Sequence, residues 1–314
     1  MKERQIDKII KEICDENGIE LSSFSHNWIY KLKKDNINRY IIGYNFDVNT
    51  SGVYQIASDK SATYQILNSS NIPCIPHILF LKPSYFSLGD DYSIFENMMK
   101  VFSDYNFNVV VKKNDGGTGG NDVYRVNNKT KLEEIVLKLF QNNKSICLSP
   151  FIDNATEYRC IILNNSIKLI YKKNRQSVIG NGKLKLKELI FEKYTDNIKN
   201  IISNLNVENI SLLNTIIEDG KEIILNWKHN LGLGSKPEII YSSDKYNALE
   251  ELAINTSKEL NISFASIDII ESNNVLYVLE VNSGIMMENF IYNVENGYEI
   301  AKNVYKEAIE LMFK

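Results

Sequence analysis

Two apolar runs near the C-terminal end constrain this chain more than any other feature. Residues 265–270 and 275–281 are rich in β-branched and aliphatic side chains. The polar segment Glu271-Ser272-Asn273-Asn274 joins them, which predicts two adjacent strands. Each run carries one carboxylate among apolar neighbours, Asp268 in the first and Glu280 in the second. Such a pair is costly to bury unless a cation or a hydrogen-bond network compensates it. On paired strands the two side chains can share one face, and Asn282 has the parity of Glu280. Two carboxylates and an amide oxygen are hard ligands that suit Mg²⁺ held jointly with nucleotide phosphates. Two satisfied structural carboxylates on a sheet face give the same pattern.

A second signal lies upstream. The apolar run Val109-Val110-Val111 delivers Lys112 and Lys113 to the segment Asn114-Asp115-Gly116-Gly117-Thr118-Gly119-Gly120. Bare backbone N–H groups can approach phosphate oxygens in such a loop, and a lysine ammonium adds a point charge. This is not the Walker loop, because no Gly-Lys-Ser/Thr follows and the next element reads as a strand, 122–126. A glycine-rich hairpin turn with solvated lysines is the alternative.

Composition excludes several classes. The chain has 314 residues, 44% hydrophobic and 24% charged, enough for two to three small domains or one multi-lobed enzyme. A net charge of −3 does not suggest a general nucleic-acid binder. Cys14, Cys74, Cys147 and Cys160 have no CxxC spacing, which argues against a zinc site, and Cys74, Cys147 and Cys160 sit in apolar runs and read as buried thiols. No apolar stretch approaches a membrane span, and residues 1–12 lack a signal-peptide core. The expectation is a cytoplasmic protein with no membrane partner.

Periodicity supplies the remaining elements. Ile6, Ile9, Ile10 and Ile13 have helical spacing. Ser58 is expected to cap a helix to about Leu67, and Thr130 with Glu133 to form a capping box for a helix to about Asn142. Asn164-Asn165 marks a tight turn between strands 157–164 and 166–173. Further strands are expected at 145–150 and 222–226, with helices at 245–260 and 294–313. Lys183, Lys185 and Lys187 alternate with leucines and read as the solvated face of a strand. Hairpins mixed with helices give an α+β class.

Taken in order, these pieces resemble the ATP-grasp superfamily, above all the branch containing the ATP-grasp domain of cyanophycin synthetase and of bifunctional glutathione synthetase. The resemblance covers about residues 50–314. Ser58-Asp59-Lys60 with Asn71-Ile72-Pro73 is similar to that branch's "DK, helix, Gly-Ile-Pro" segment. Val111-Lys112 is similar to "VVKP", with Lys113 in place of proline. Residues 147–152 resemble the adenine-binding hinge, and Glu157-Tyr158-Arg159 resembles "EYR". Arg175 to Gly182, followed by Lys187-Glu188-Leu189-Ile190, resembles "RxxVxGDG…ELI", with Asn181 replacing aspartate. Asn230 to Gly234 resembles "NLSTGG". Asp268, Glu280 and Asn282 match "GID…EVN", and Ser283-Gly284-Ile285 lacks the usual proline.

The resemblance implies an ATP-grasp fold with the nucleotide held between two α+β lobes. A short N-terminal α/β segment would occupy 1–57, a small lobe 58–152 and a large lobe 153–314. It implies an ADP-forming carbon–nitrogen ligase that makes an amide from a small-molecule carboxylate and an amine through an acyl phosphate. ATP and Mg²⁺ would be the cofactors, with two ions at the site and Mn²⁺ as a substitute. Lys60 and Lys112 would hold phosphates, with Gly116, Gly117, Thr118 and Gly119 closing over them. Ser149, Pro150, Phe151 and Ile152 would bind adenine through backbone groups, and Glu157 the ribose. Arg159, Arg175 and Asn230 would act at the transferred phosphate, and Asp268, Glu280 and Asn282 on the metal. A homodimer is also implied. Two alternatives stay open: modification of a ribosomal peptide substrate, and a non-catalytic ATP-binding regulator. His229 reads as a solvated loop residue, with substrate contact or a base role as the alternative; His26 and His77 are weaker candidates.

Overall fold

The structure is a computed structural model that describes residues 3–82, 94–116, 120, 122–195 and 198–314. The chain opens with α1 (Gln5–Asn17), whose isoleucines line one buried stripe. A meander follows: β1 (Glu20–Phe24), β2 (Ile29–Lys34), β3 (Ile37–Ile42) and β4 (Asn45–Phe46), paired antiparallel in chain order. Asp35 and Asn36 take left-handed conformations at the β2–β3 turn, as a tight hairpin requires. Then come α2 (Ser51–Ser58) and α3 (Lys60–Ser69). The cap of α3 is Asp59, whose carboxylate accepts from the Ala62 N–H at 2.8 Å; Ser58 instead ends α2.

The small lobe contains β5 (Ile78–Leu81), α4 (Ile94–Asp104), β6 (Val109–Lys113), β7 (Val123–Val126), α5 (Lys129–Asn142) and β8 (Ser145–Pro150). Its sheet runs β5-β8-β6-β7, all antiparallel. Asn128 caps α5 through Lys131 N–H, so the expected Thr130–Glu133 box is displaced by a better-placed amide.

The large lobe is built on β9 (Thr156–Leu163) and β10 (Ser166–Asn174), joined by Asn164 and Asn165, both left-handed. Between β10 and the next sheet strand sits a subdomain with its own apolar core: β11 (Ser177–Ile179), α6 (Leu186–Lys193), α7 (Ile198–Ser203), α8 (Val207–Leu212) and β12 (Glu222–Ile224). Lys183 and Lys185 precede α6 and Lys187 lies inside it, so the expected lysine-bearing strand does not form. Leu186, at the start of the helix, is buried in that core, and Glu188 caps through Lys185 N–H. Then follow β13 (Lys236–Ile239), α9 (Asp244–Glu259), β14 (Phe264–Ser272), β15 (Val275–Asn282), α10 (Glu288–Asn293) and α11 (Gly297–Met312). The five-stranded sheet runs β13-β10-β9-β14-β15.

Two apolar layers cover this sheet. One joins it to α1, α11 and the N-terminal meander, and the other to α2, α3 and α9. The expectation for 1–57 named no strands; the meander's short strands interleave Lys, Asn, Ser and Arg with their apolar residues without a clean alternation. Among the described residues no helix is long and apolar enough to cross a membrane.

Gly180 shows how a motif glycine serves packing. A Cβ there would meet Ile217 Cγ2 at 2.7 Å and Ile217 O at 2.8 Å, and Glu218 O closer still. Gly180→Ala is expected to destabilise the β11–β12 subdomain by about 1–3 kcal/mol, because backbone atoms cannot yield as a side chain can. Protease cleavage within 180–220 at temperatures where the wild type resists would show it.

Candidate active site between the lobes

The register of the large sheet decides which side chains meet. Asp268 on β14 lies opposite Arg159 on β9 and opposite Glu280 on β15. Ser266 lies opposite Asn282, so Asn282 shares the face of Glu280. Glu157 has the parity of Arg159, and Lys173 on β10 reaches the same face. One side of four adjacent strands therefore presents Lys173, Glu157, Arg159, Asp268, Glu280 and Asn282.

These groups form a buried ionic network. Arg159 donates from Nε and Nη2 to the two oxygens of Asp268, both at 2.7 Å. Lys173 Nζ is 2.9 Å from Asp268 Oδ2 and 2.5 Å from Glu157 Oε1. Asp268 is 1% exposed and Lys173 4%, so neither can rely on water. Burial opposes the Asp268 charge, but Arg159 and Lys173 outweigh it and hold the carboxyl far below its usual range. Burial and Arg159 oppose the Lys173 ammonium, yet Asp268 and Glu157 prevail and raise it. Lys173 was not singled out from sequence. Its place depends on the β9–β10 register, which shifts by a bulge at Ile167/Leu169 that no sequence pattern reveals.

Among the described residues Glu280 is the carboxylate of this face without a salt bridge; its Oε1 accepts from Asn282 Nδ2 at 3.2 Å. Two cations against three carboxylates (Asp268, Glu157, Glu280) leave one negative charge on the face. Among the described residues no cluster of three or more His, Cys, Asp or Glu could hold a metal by itself. A set of Glu280, Asn282 and the one carboxylate lone pair left on Asp268 fits an ion that takes its other ligands from phosphates and water, as Mg²⁺ does.

The small lobe supplies the facing surface. On β6 and β8, Val109, Val111, Ile146 and Leu148 point into the lobe's core, so Lys112, Cys147 and Ser149 point to the other side. Lys112 is 6% exposed; burial lowers its pKa, while Cys147, Glu280 and Glu157 act to raise it. That influence places the lysine across from the large lobe's acids. Lys60 opens α3, its N–H and Nζ both directed at the carbonyl of Asn114. Ser61 N–H donates to the Asn114 side chain, so the start of α3 is fastened to the mouth of the glycine-rich segment. Gly116 is left-handed. Gly117, Thr118 and Gly119 lie outside the described residues.

The hinge residues differ in what they offer. Ser149 is buried on the cleft side, and Pro150 ends β8. Phe151 N–H donates to Asn108 O, and its ring lies between the Arg125 guanidinium and Trp227. That amide is therefore committed to the fold. Ile152 packs with Ile75, Tyr277 and Leu279 in an apolar cluster at the same end of the cleft. Arg175 is half-buried near Glu222 and Glu157, and burial lowers its pKa. Asn230 caps the turn Leu231–Leu233 by accepting from Gly232 N–H at 2.7 Å, with its Nδ2 close to Gly120.

His229 departs from the solvated reading: its ring is largely buried and its Nδ1 is 3.0 Å from Lys173 O. His77 is 2% exposed and influenced by Lys60 and Lys112, while His26 sits in an exposed turn.

Lys112 on the small lobe's sheet, with Lys60 at the start of α3, thus faces the acids of the large lobe's sheet. Residues 187–307 match the RimK-like ATP-grasp domain, and this stretch includes Asn230, Asp268, Glu280 and Asn282. The glutathione biosynthesis bifunctional protein GshAB of Clostridium perfringens is 23% identical over 252 residues, 75% of this chain and 31% of that protein. GshAB of Listeria monocytogenes serotype 4b is 22% identical, with 72% and 32% covered. The bifunctional glutathione synthetase structure from Pasteurella multocida has a TM-score of 0.55 and 16% identity, covering 96% of this chain and 44% of its own. The D-alanine–D-alanine ligase structure from Bacillus anthracis has a TM-score of 0.52 and 16% identity, covering 82% of this chain and 66% of its own. The chain spans about a third of the length of the curated relatives it matches.

Proposed function

We propose that this chain is an ATP-dependent carboxylate–amine ligase acting through an acyl phosphate, on an amino acid or short peptide. The observation that carries the reading is the cleft itself, with Lys60 and Lys112 on one wall and the Asp268–Glu280–Asn282 row on the other. Phosphoryl transfer needs alignment and charge neutralisation more than covalent help from the protein. Lys60 and Lys112 would hold the phosphates. Arg175 would meet charge developing on the transferred group. Glu280, Asn282 and Asp268 would hold Mg²⁺, which supplies Lewis-acid neutralisation of the phosphate oxygens. Arg159 and Lys173 keep Asp268 ionised and fixed in place, so it presents one lone pair in one direction. The apolar cluster of Ile75, Ile152 and Leu279 is a fitting surface for adenine.

A precursor peptide is the second reading, and one observation favours it. The β3–β4 turn abuts the loop after Asn282, where Ile285 N–H donates to Tyr44 O. The outer side of that meander exposes Phe24, Tyr40 and Ile42, with Trp28 in the adjoining turn. Incubation with Mg-ATP and pooled amino acids and short peptides tests both readings. ADP and phosphate appearing only with a pool, together with a new amide mass, support the ligase. AMP and pyrophosphate would sink the acyl-phosphate mechanism.

A further inference from the structure

His229 stands beside this site without a task in the scheme above. Its Nδ1 faces the carbonyl of Lys173, and a carbonyl only accepts, so Nδ1 carries the hydrogen and Nε2 the lone pair. Among the described residues Nε2 has no hydrogen-bond partner, and unlike Nε2 of His77 it is not sealed as a buried atom without one. The charged groups around the ring are Glu157 of β9, Lys173 of β10 and Arg175 just beyond it. Burial, helped by Arg175 and Lys173, lowers the imidazole pKa against the opposing pull of Glu157 and the Lys173 carbonyl. The ring is therefore neutral near pH 7, anchored at Nδ1, with no partner for Nε2 among the described residues. The next residue is Asn230, in the loop that approaches Gly120.

The geometry points to His229 as the general base of the amide-forming step, with Nε2 taking a proton from the incoming ammonium. The inference rests on the ligase reading. In the first step a carboxylate oxygen attacks the γ-phosphorus, the bond to the ADP oxygen breaks, and an acyl phosphate forms. An amine at neutral pH is mostly R–NH₃⁺ and has no lone pair to give. Transfer of one proton to Nε2 frees that pair, which attacks the acyl carbon. The C–N bond forms, the C–O bond to phosphate breaks, and phosphate leaves with that oxygen. The second ammonium proton is lost to solvent as the tetrahedral centre collapses. The imidazolium then returns its proton to water.

His229→Asn separates this role from a structural one. The Asn amide N–H can keep the bond to Lys173 O but offers no basic nitrogen. Wild type and variant are compared with Mg-ATP and the amino-acid pool, with either the pool's own amines or hydroxylamine as nucleophile. Hydroxylamine is largely uncharged at neutral pH and needs no base. Amide formation in the variant is expected to fall about 10²-fold or more, recovering in part as pH rises, while hydroxamate formation persists. Equal loss in both assays, or no loss of amide formation, overturns the assignment. If the wild type forms neither product, the ligase reading fails and the base role falls with it. Should the variant not fold, imidazole ¹⁵N NMR of the wild type decides: the chain has 3 histidines, and a protonated Nε2 on His229 at neutral pH would contradict the proposal.

Discussion

Lys173→Met is expected to destabilise the protein by about 3–5 kcal/mol, the usual penalty for removing one partner of a buried ion pair. Methionine has a similar reach and an adaptable shape, so lost packing contributes little. What remains is Asp268 with one cation instead of two, and Glu157 with none of its present ion pairs. Urea denaturation with an unchanged slope and a lowered midpoint would express the loss. The pH dependence has a definite sign. The Asp268 carboxyl is held below its unfolded value of roughly 3.9, so its stabilisation is complete above about pH 5 and fades as pH falls through the folded value. Removing Lys173 lessens that depression, so acid unfolding of the variant begins at higher pH. A variant within about 1 kcal/mol of wild type would mean the network is not tightly closed in solution.

Glu280→Gln is expected to have the opposite profile, with folding kept and chemistry lost. Glu280 has no salt bridge among the described residues, and glutamine can still accept from Asn282 through its amide oxygen. Stability should change by no more than about 0.5 kcal/mol, as for a substitution outside the packed core. Mg-dependent ADP formation should drop by about 10²–10³-fold, the scale of losing one preorganised electrostatic contact at a reacting phosphate. Parallel thermal melts and ADP assays measure both. Turnover near the wild-type level would remove Glu280 from the metal site and leave the Asp268–Glu280 pair a structural feature of the sheet.

Apolar β-branched runs made much of the large lobe legible in advance. The runs around Asp268 and Glu280, with a polar turn between them, predict two neighbouring strands whose acids can share one face, and the register sets the two acids opposite each other. Asn164-Asn165 and Asn273-Asn274 flagged hairpins because Asn tolerates left-handed conformations, and all four residues adopt them. Tertiary register was not legible. Lys173 stands in the sequence only as the end of the strand 166–173, and a bulge and pairing with β9 put it between Glu157 and Asp268. His229 looked like a loop residue because its bond to Lys173 O joins positions 56 apart in sequence. Lys183 and Lys185 alternate with leucines as a strand would, but Leu186 is drawn into the subdomain core by α6, and local pattern gives way to packing. The meander of 20–46 was hidden because apolar residues lie on both of its faces, Phe24, Tyr40 and Ile42 on the exposed one and Tyr30, Leu32 and Ile41 on the buried one, so no simple alternation marks it.

The central claim is that a carboxylate attacks the γ-phosphate in this cleft. The direct measurement uses amino acids labelled with ¹⁸O in the carboxylate, incubated with Mg-ATP and the protein, followed by mass analysis of the released phosphate. An acyl-phosphate route moves one labelled oxygen into inorganic phosphate, alongside ADP, for each amide formed. Unlabelled phosphate with amide formation, or label in AMP, would contradict the account.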